Sequence, residues 1–128
     1  MSSFDPSVTY FHLKDGPAEA LVADESFWPS VMAGQRDLDG WLVAGYACEQ
    51  TAASGSAEVH PAGDELHLCQ SGAMSAVLEH ETGEEVAGQC CVIPAGVWHR
   101  QRTREPSRVF TLTFGKGTEH RQARQGKS

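Results

Sequence analysis

Glu58-Val59-His60-Pro61-Ala62-Gly63-Asp64-Glu65-Leu66-His67 is the stretch on which the reading of this chain turns. It sets carboxylates and imidazoles at alternate positions on either side of a Pro-Ala-Gly-Asp turn. Residues two apart in a strand share a face. Glu58 therefore points with His60, and Glu65 points with His67 and then Cys69, while Leu66 and Leu68 take the opposite side. If the polar face looks into a barrel, two carboxylates and two imidazoles are buried together. Such groups are costly to bury unless they are paired or bound to something. Imidazole and carboxylate together suit iron, manganese, nickel or zinc. The open alternative is an antiparallel hairpin whose Glu and His side chains face solvent.

Outward from this stretch the chain reads as short strands. Val8 to Lys14 and Trp41 to Gln50 precede it, and Ala57 to His60 and Glu65 to Gln70 carry it. Ala18 to Phe27 reads as a short helix or irregular arm that Trp28-Pro29 stops. Thr51 to Ala57 is a loop, and Ser71-Gly72 ends the strand that begins at Glu65. Thr82-Gly83 forms a hairpin turn between Ala73 to Glu81 and Glu84 to Ala87. Gln89 to Ile93 follows, and Trp98 to Arg104 and Arg108 to Phe114 flank a break at Glu105-Pro106-Ser107. Strands spaced by roughly 8–12 residues, with Gly and Pro between them, predict an all-β sandwich or barrel in a single domain. No βαβ alternation supports a parallel sheet. The division expected is an N-terminal strand and arm over 1–36, a barrel over 37–114 and a disordered tail over 115–128.

The second half supplies a matching segment, Gly88-x5-Pro94-x-Gly96-x2-His99. Pro94 fixes φ on leaving a strand, Gly96 can supply a positive φ, and the next strand opens with an aimed imidazole. Together the two segments resemble the cupin superfamily, and specifically its small single-domain members. Its first motif, G-x5-H-x-H-x3,4-E-x6-G, is matched by Glu58-x-His60-x4-Glu65-x6-Gly72, with Glu58 where the first histidine is expected and Ala52 where the opening glycine is. Its second, G-x5-P-x-G-x2-H-x3-N, is matched as far as His99, with Thr103 in place of the asparagine.

The resemblance implies a jelly-roll barrel (double-stranded β-helix), dimeric, with a divalent transition metal near one mouth. Its ligands would be His60, Glu65 and His99, with Glu58 as the fourth. The exchange of histidine for Glu58 leaves two outcomes: a metal site of altered preference, or a metal-free pocket in which Glu58 hydrogen-bonds a histidine. Without a cation, Glu58 and Glu65 are expected to share a proton, because two close carboxylates cannot both ionise cheaply. His67 faces the same cavity, filling space or contacting substrate. Gln101 and Thr103 share a face with His99 and are candidate pocket-lining residues. Cys69 reads as a small core hydrophobe, and Trp41, Trp98 and Tyr46 as packing.

The remaining composition narrows the function classes. Hydrophobic residues make up 40% and charged residues 21%, as in an ordinary globular protein. The net charge of -7 argues against a nucleic-acid surface or an anionic membrane as the main partner. Arg100, Arg102, Arg104 and Arg108 crowd one stretch, read as a solvated strand and hairpin edge facing an acidic body. No window approaches the roughly 18 apolar residues of a membrane span, and Met1 to Ser7 does not read as a signal peptide. The four cysteines lack framework spacing. A cytoplasmic protein with reduced, mostly buried thiols is therefore expected. Three functions follow: a metal-dependent enzyme such as a dioxygenase or isomerase, a non-catalytic module that binds a small polar ligand or the metal, and a metal-free structural barrel. Fold alone does not choose among them.

Overall fold

The structure is a computed structural model and describes residues 1–49 and 55–122. Among the described residues nine antiparallel strands form one sheet wound into the expected jelly-roll barrel. The strand on which the others gather is β8 (His99–Phe114). One edge pairs along its length with β5 (Glu65–Leu78), from Leu78 opposite His99 to Glu65 opposite Thr113. The other edge pairs with β3 (Trp41–Cys48), while His99 lies opposite Glu58 of β4 (Ser56–Val59). Beyond β3 come β1 (Thr9–Leu13) and β2 (Ala18–Val22), and β4 pairs outward with β9 (Glu119–Gln122). β5 also carries β6 (Thr82–Val86) and β7 (Cys90–Ile93).

Two expected breaks are bends inside continuous strands. β5 runs through Ser71-Gly72 and β8 through Glu105-Pro106-Ser107, and the register between them is irregular there. Gly72 takes φ +82, and a Cβ on it would fall 2.3 Å from both Pro106 O and Ser107 Oγ. The Ser107 hydroxyl accepts from the Ala73 amide at 3.0 Å and donates to Glu105 O at 2.7 Å. The side chain thus replaces ladder bonds where the strands turn a corner, and Pro106 sits where an irregular ladder tolerates its missing N–H. The hairpin turn also lies elsewhere than expected. Leu78 N–H donates to Glu81 O, so 79–81 turn the chain. Gly83 belongs to β6 and leaves room for Cys91 Sγ, which a Cβ there would approach to 2.8 Å.

The N-terminal arm differs as well. Ala18 opens β2, and Trp28-Pro29 does not stop a helix but lies in the first turn of one, α1 (Phe27–Met32). A first-turn amide has no intrahelical partner to lose, so proline is tolerated there. Phe27 is 1% exposed and packs edge-on to Tyr10 at 5.0 Å, in a cluster with Leu21, Leu42 and Ala44. The arm and β3 therefore share one apolar core. A second cluster of Cys69, Met74 and Val109 lies at the bend of the long strands.

Within the segment beyond Phe114, where a disordered tail is expected, Glu119–Gln122 form β9 on the free edge of β4. The position of the motif's opening glycine (Ala52), most of the expected loop and the end of the tail lie outside the described residues. Of the four cysteines, all free, only Cys69 is buried, and Cys90 is exposed.

Candidate metal centre

Among the described residues eight polar or charged ones are buried: His60, Glu65, His67, Ser75, His99, Thr103, Ser107 and Thr111. The inverted strand β5 accounts for two of them, Glu65 and His67. Its Glu65, His67 and Cys69 are buried while Leu66 and Leu68 are only half so. The polar face looks inward.

Two turns bring the motif-like segments together. Asp64 Oδ1 accepts the Ala95 amide at 2.9 Å, and the Gly96 amide reaches His60 O at 3.1 Å. Gly96 has φ +78, the left-handed conformation that its sequence position suggested. Glu58 and His99 then face one another across β4 and β8. One donor atom from each of Glu58, His60, Glu65 and His99 lies within 4.8 Å of the other three.

The outer atoms of these side chains fix how the inner ones point. Thr118 Oγ1 donates its single proton to Gly115 O at 3.0 Å, so towards His60 Nδ1, 2.8 Å away, it can only accept. His60 therefore carries a proton on Nδ1. His99 does too, because its Nδ1 faces Val97 O at 3.0 Å. Both rings aim Nε2 inward, and neither Nε2 has a hydrogen-bond partner although both are buried. Thr113 holds Glu65 Oε1 at 3.2 Å and leaves Oε2 facing the cluster. Glu58 Oε1 also faces inward, and Oε2 meets His120 Nε2 at 3.2 Å.

Across the cluster, His60 Nε2 lies 3.4 Å from Glu58 Oε1 and 3.6 Å from Glu65 Oε2. His99 Nε2 lies 3.6 Å and 3.2 Å from the same two atoms. Donors bound at about 2.1 Å to one ion stand roughly 3–3.5 Å from their neighbours. Two orphaned imidazole nitrogens and two carboxylate oxygens at that spacing fit a divalent transition metal. Outer hydrogen bonds that fix tautomer and ring direction are the usual companions of metal-binding histidines.

Without a cation the same cluster holds protons. Burial disfavours the imidazolium of His60 and His99, but the facing carboxylates outweigh it and push the two up to about 9 and about 10. Burial likewise opposes ionisation of Glu58 and Glu65, yet the two histidines hold both carboxyls below the usual range. The expected proton shared between the carboxylates thus sits on the imidazoles instead, because each Glu faces two imidazoles, which are stronger bases than a carboxylate.

The cluster opens into a cavity of about 740 Å³. Gln101 lies on its wall; His67 and Thr103 do not. His67 is fully buried farther along β5, opposite Thr111 and Cys91, and Thr103 hydrogen-bonds the Cys48 thiol. Several wall residues escaped the sequence reading. Tyr46, read as packing, borders the cavity, and burial together with Tyr10, Glu58 and Glu65 raises its pKa so that the phenol keeps its proton. Val31 and Met32 of α1 supply an apolar flank, and Arg36 a cation whose guanidinium lies 5.1 Å from the Phe27 ring centre. Thr118 and His120 were lost in the presumed tail.

No protein-family model and no curated relative matches the sequence. Solved structures do resemble it. A cupin superfamily protein from Desulfitobacterium hafniense superposes with a TM-score of 0.54 at 15% identity, over 63% of this chain and 72% of that one. KdgF from Halomonas sp. gives 0.50 at 22% identity, over 66% and 71%. A variant of salicylate 1,2-dioxygenase from Pseudoaminobacter salicylatoxidans, in complex with gentisate, gives 0.54 at 15% identity, over 73% of this chain but 26% of the dioxygenase. The chain has the cupin fold.

Proposed function

We propose that this chain is a metal-dependent enzyme that converts a small polar metabolite, by dioxygenation or by isomerisation. The observation that carries the reading is the pair of buried Nε2 atoms, neither hydrogen-bonded and each aimed by an Nδ1 hydrogen bond at the same two carboxylate oxygens. Glu58, His60, Glu65 and His99 would hold iron, manganese, nickel or zinc. Such an ion, when bound, polarises a substrate oxygen or activates dioxygen. The chain's own groups would do the rest. Gln101 can orient a polar group, and Val31 would lie against the apolar part of a ligand on one flank. The dioxygenase that shares the fold was solved with an aromatic acid, gentisate, in complex, which supports a small oxygen-bearing substrate here.

Elemental analysis of protein purified without added metal should find close to one transition metal per chain. The His60→Ala/His99→Ala double variant should hold less than about a tenth of that. Metal retained in full by the double variant would remove the site. The protein should then be loaded with Fe(II) and offered a panel of small polar metabolites. Oxygen uptake selects dioxygenation, and turnover without uptake selects isomerisation. Neither, with metal bound, leaves a binding module. Assembly as a homodimer belongs to the same proposal; light scattering at micromolar concentration should give twice the chain mass.

A further inference from the structure

His120 belongs to neither motif-like segment and reaches the site only through the pairing of β4 with β9, which sets it opposite Glu58. Its Nε2 lies 3.2 Å from Glu58 Oε2. A carboxylate oxygen only accepts, so the contact is favourable when Nε2 carries the proton. Glu58 Oε1 meanwhile faces His60 and His99. His120 itself stands outside the four-residue group of candidate donors. It touches that group through Glu58 and also lines the cavity.

The strand that presents His120 is pinned from its other side. Arg121, next in sequence and on the opposite face, lays its guanidinium over the Trp98 ring at 4.0 Å and reaches Glu79 Oε1 at 3.3 Å. The turn before it is anchored by Thr118, bonded to both His60 and Gly115. His120 is therefore held on one oxygen of a carboxylate whose other oxygen belongs to the cluster.

We propose that His120 is a positioning residue that makes Glu58 a one-oxygen ligand, and so keeps two coordination positions open for a chelating small molecule. The inference rests on the metal reading above. Carboxylates bind metals through one oxygen or both. In an octahedral ion, two histidines, Glu65 and both oxygens of Glu58 would leave one position free. With Oε2 tied to His120, two remain, as a ligand that binds through two oxygens requires.

The test uses the full chain loaded with Co(II), whose visible spectrum reports coordination number. Two probes are titrated: azide, which takes one position, and acetohydroxamate, which takes two. The wild type should bind both. His120→Ala should keep its cobalt and bind azide within about twofold of the wild type, but bind acetohydroxamate at least roughly tenfold more weakly. His120→Gln, whose amide N–H can still hold Glu58 Oε2, should restore acetohydroxamate binding. His120→Leu keeps the side-chain bulk without the donor and serves the same purpose as His120→Ala if that variant does not fold. Acetohydroxamate affinity unchanged in His120→Ala, azide weakened equally, cobalt lost from the folded variant, or no rescue by His120→Gln each overturns the proposal. A wild type that takes up no cobalt overturns the metal reading and this one with it. Cobalt uptake with unaltered probe binding across the variants overturns this one alone.

Discussion

Thr118 has one hydroxyl proton, and its destination decides what His60 can bind. Spent on Gly115 O, it leaves the oxygen as an acceptor, which places the imidazole proton on Nδ1 and the lone pair on Nε2. Thr118→Val keeps the shape and removes that acceptor. His60 then loses both its tautomer preference and its anchor, so metal affinity should fall by about 10–100-fold with little loss of thermal stability. Competition against a colorimetric chelator measures the first, and melting of the metal-free protein the second. Equal affinity in the variant would mean that the carboxylates alone aim His60. His60, Glu65 and His99 were picked out by the spacing of the two cupin-like segments, because strand period alone set His67 on the same face as Glu65 and did not tell them apart. Thr118 and His120 were not. Their polar segment has no periodicity of its own and gains meaning only from its register against β4, some 58 residues earlier at the His60 contact.

At the scale of elements, glycine and proline punctuate a chain without saying whether it stops or bends. Ser71-Gly72 and Glu105-Pro106-Ser107 both read as strand ends, yet they face one another inside the longest pairing of the barrel and bend together. The sequence marks each place and cannot mark the pairing, which is non-local. Trp28-Pro29 posed the same ambiguity, since proline ends a helix from within but is accepted in its first turn. The bend yields a sharp expectation. Gly72→Ala must place a methyl carbon 2.3 Å from Pro106 O and Ser107 Oγ on a backbone at φ +82. Neither the conformation nor the space suits it. The variant should lose more than about 2 kcal/mol, read from the urea midpoint. Gly88→Ala is the control, because its φ of +88 is similar but nothing lies within 4 Å of the added carbon. It should cost about 1–2 kcal/mol from backbone strain alone. Equal losses in the two variants would show that strain, and not the corner's packing, sets the cost.

For the whole molecule, the buried cluster couples folding to pH in opposite ways with and without metal. In the metal-free protein His60 and His99 are raised from 6.5 to about 9 and about 10. A group whose pKa is raised on folding contributes fully below its unfolded value and loses that contribution as pH climbs through the folded one. Glu58 and Glu65 are lowered from 4.5, so their contribution is present above that value and fades as pH falls below it. Metal-free protein should therefore be most stable between about pH 4.5 and 6.5 and should weaken steadily towards pH 9. A divalent ion takes the place of the two imidazole protons without changing the cluster's charge. Its affinity rises as those protons become easier to displace, and binding to the native state alone raises stability. The gap between the melting temperatures of loaded and chelator-treated protein should thus widen from about pH 6 to pH 9. Melting both forms across that range, at fixed ionic strength, checks it. A gap that narrows with pH would mean that the ion does not displace the imidazole protons, and so does not bind between the two Nε2 atoms.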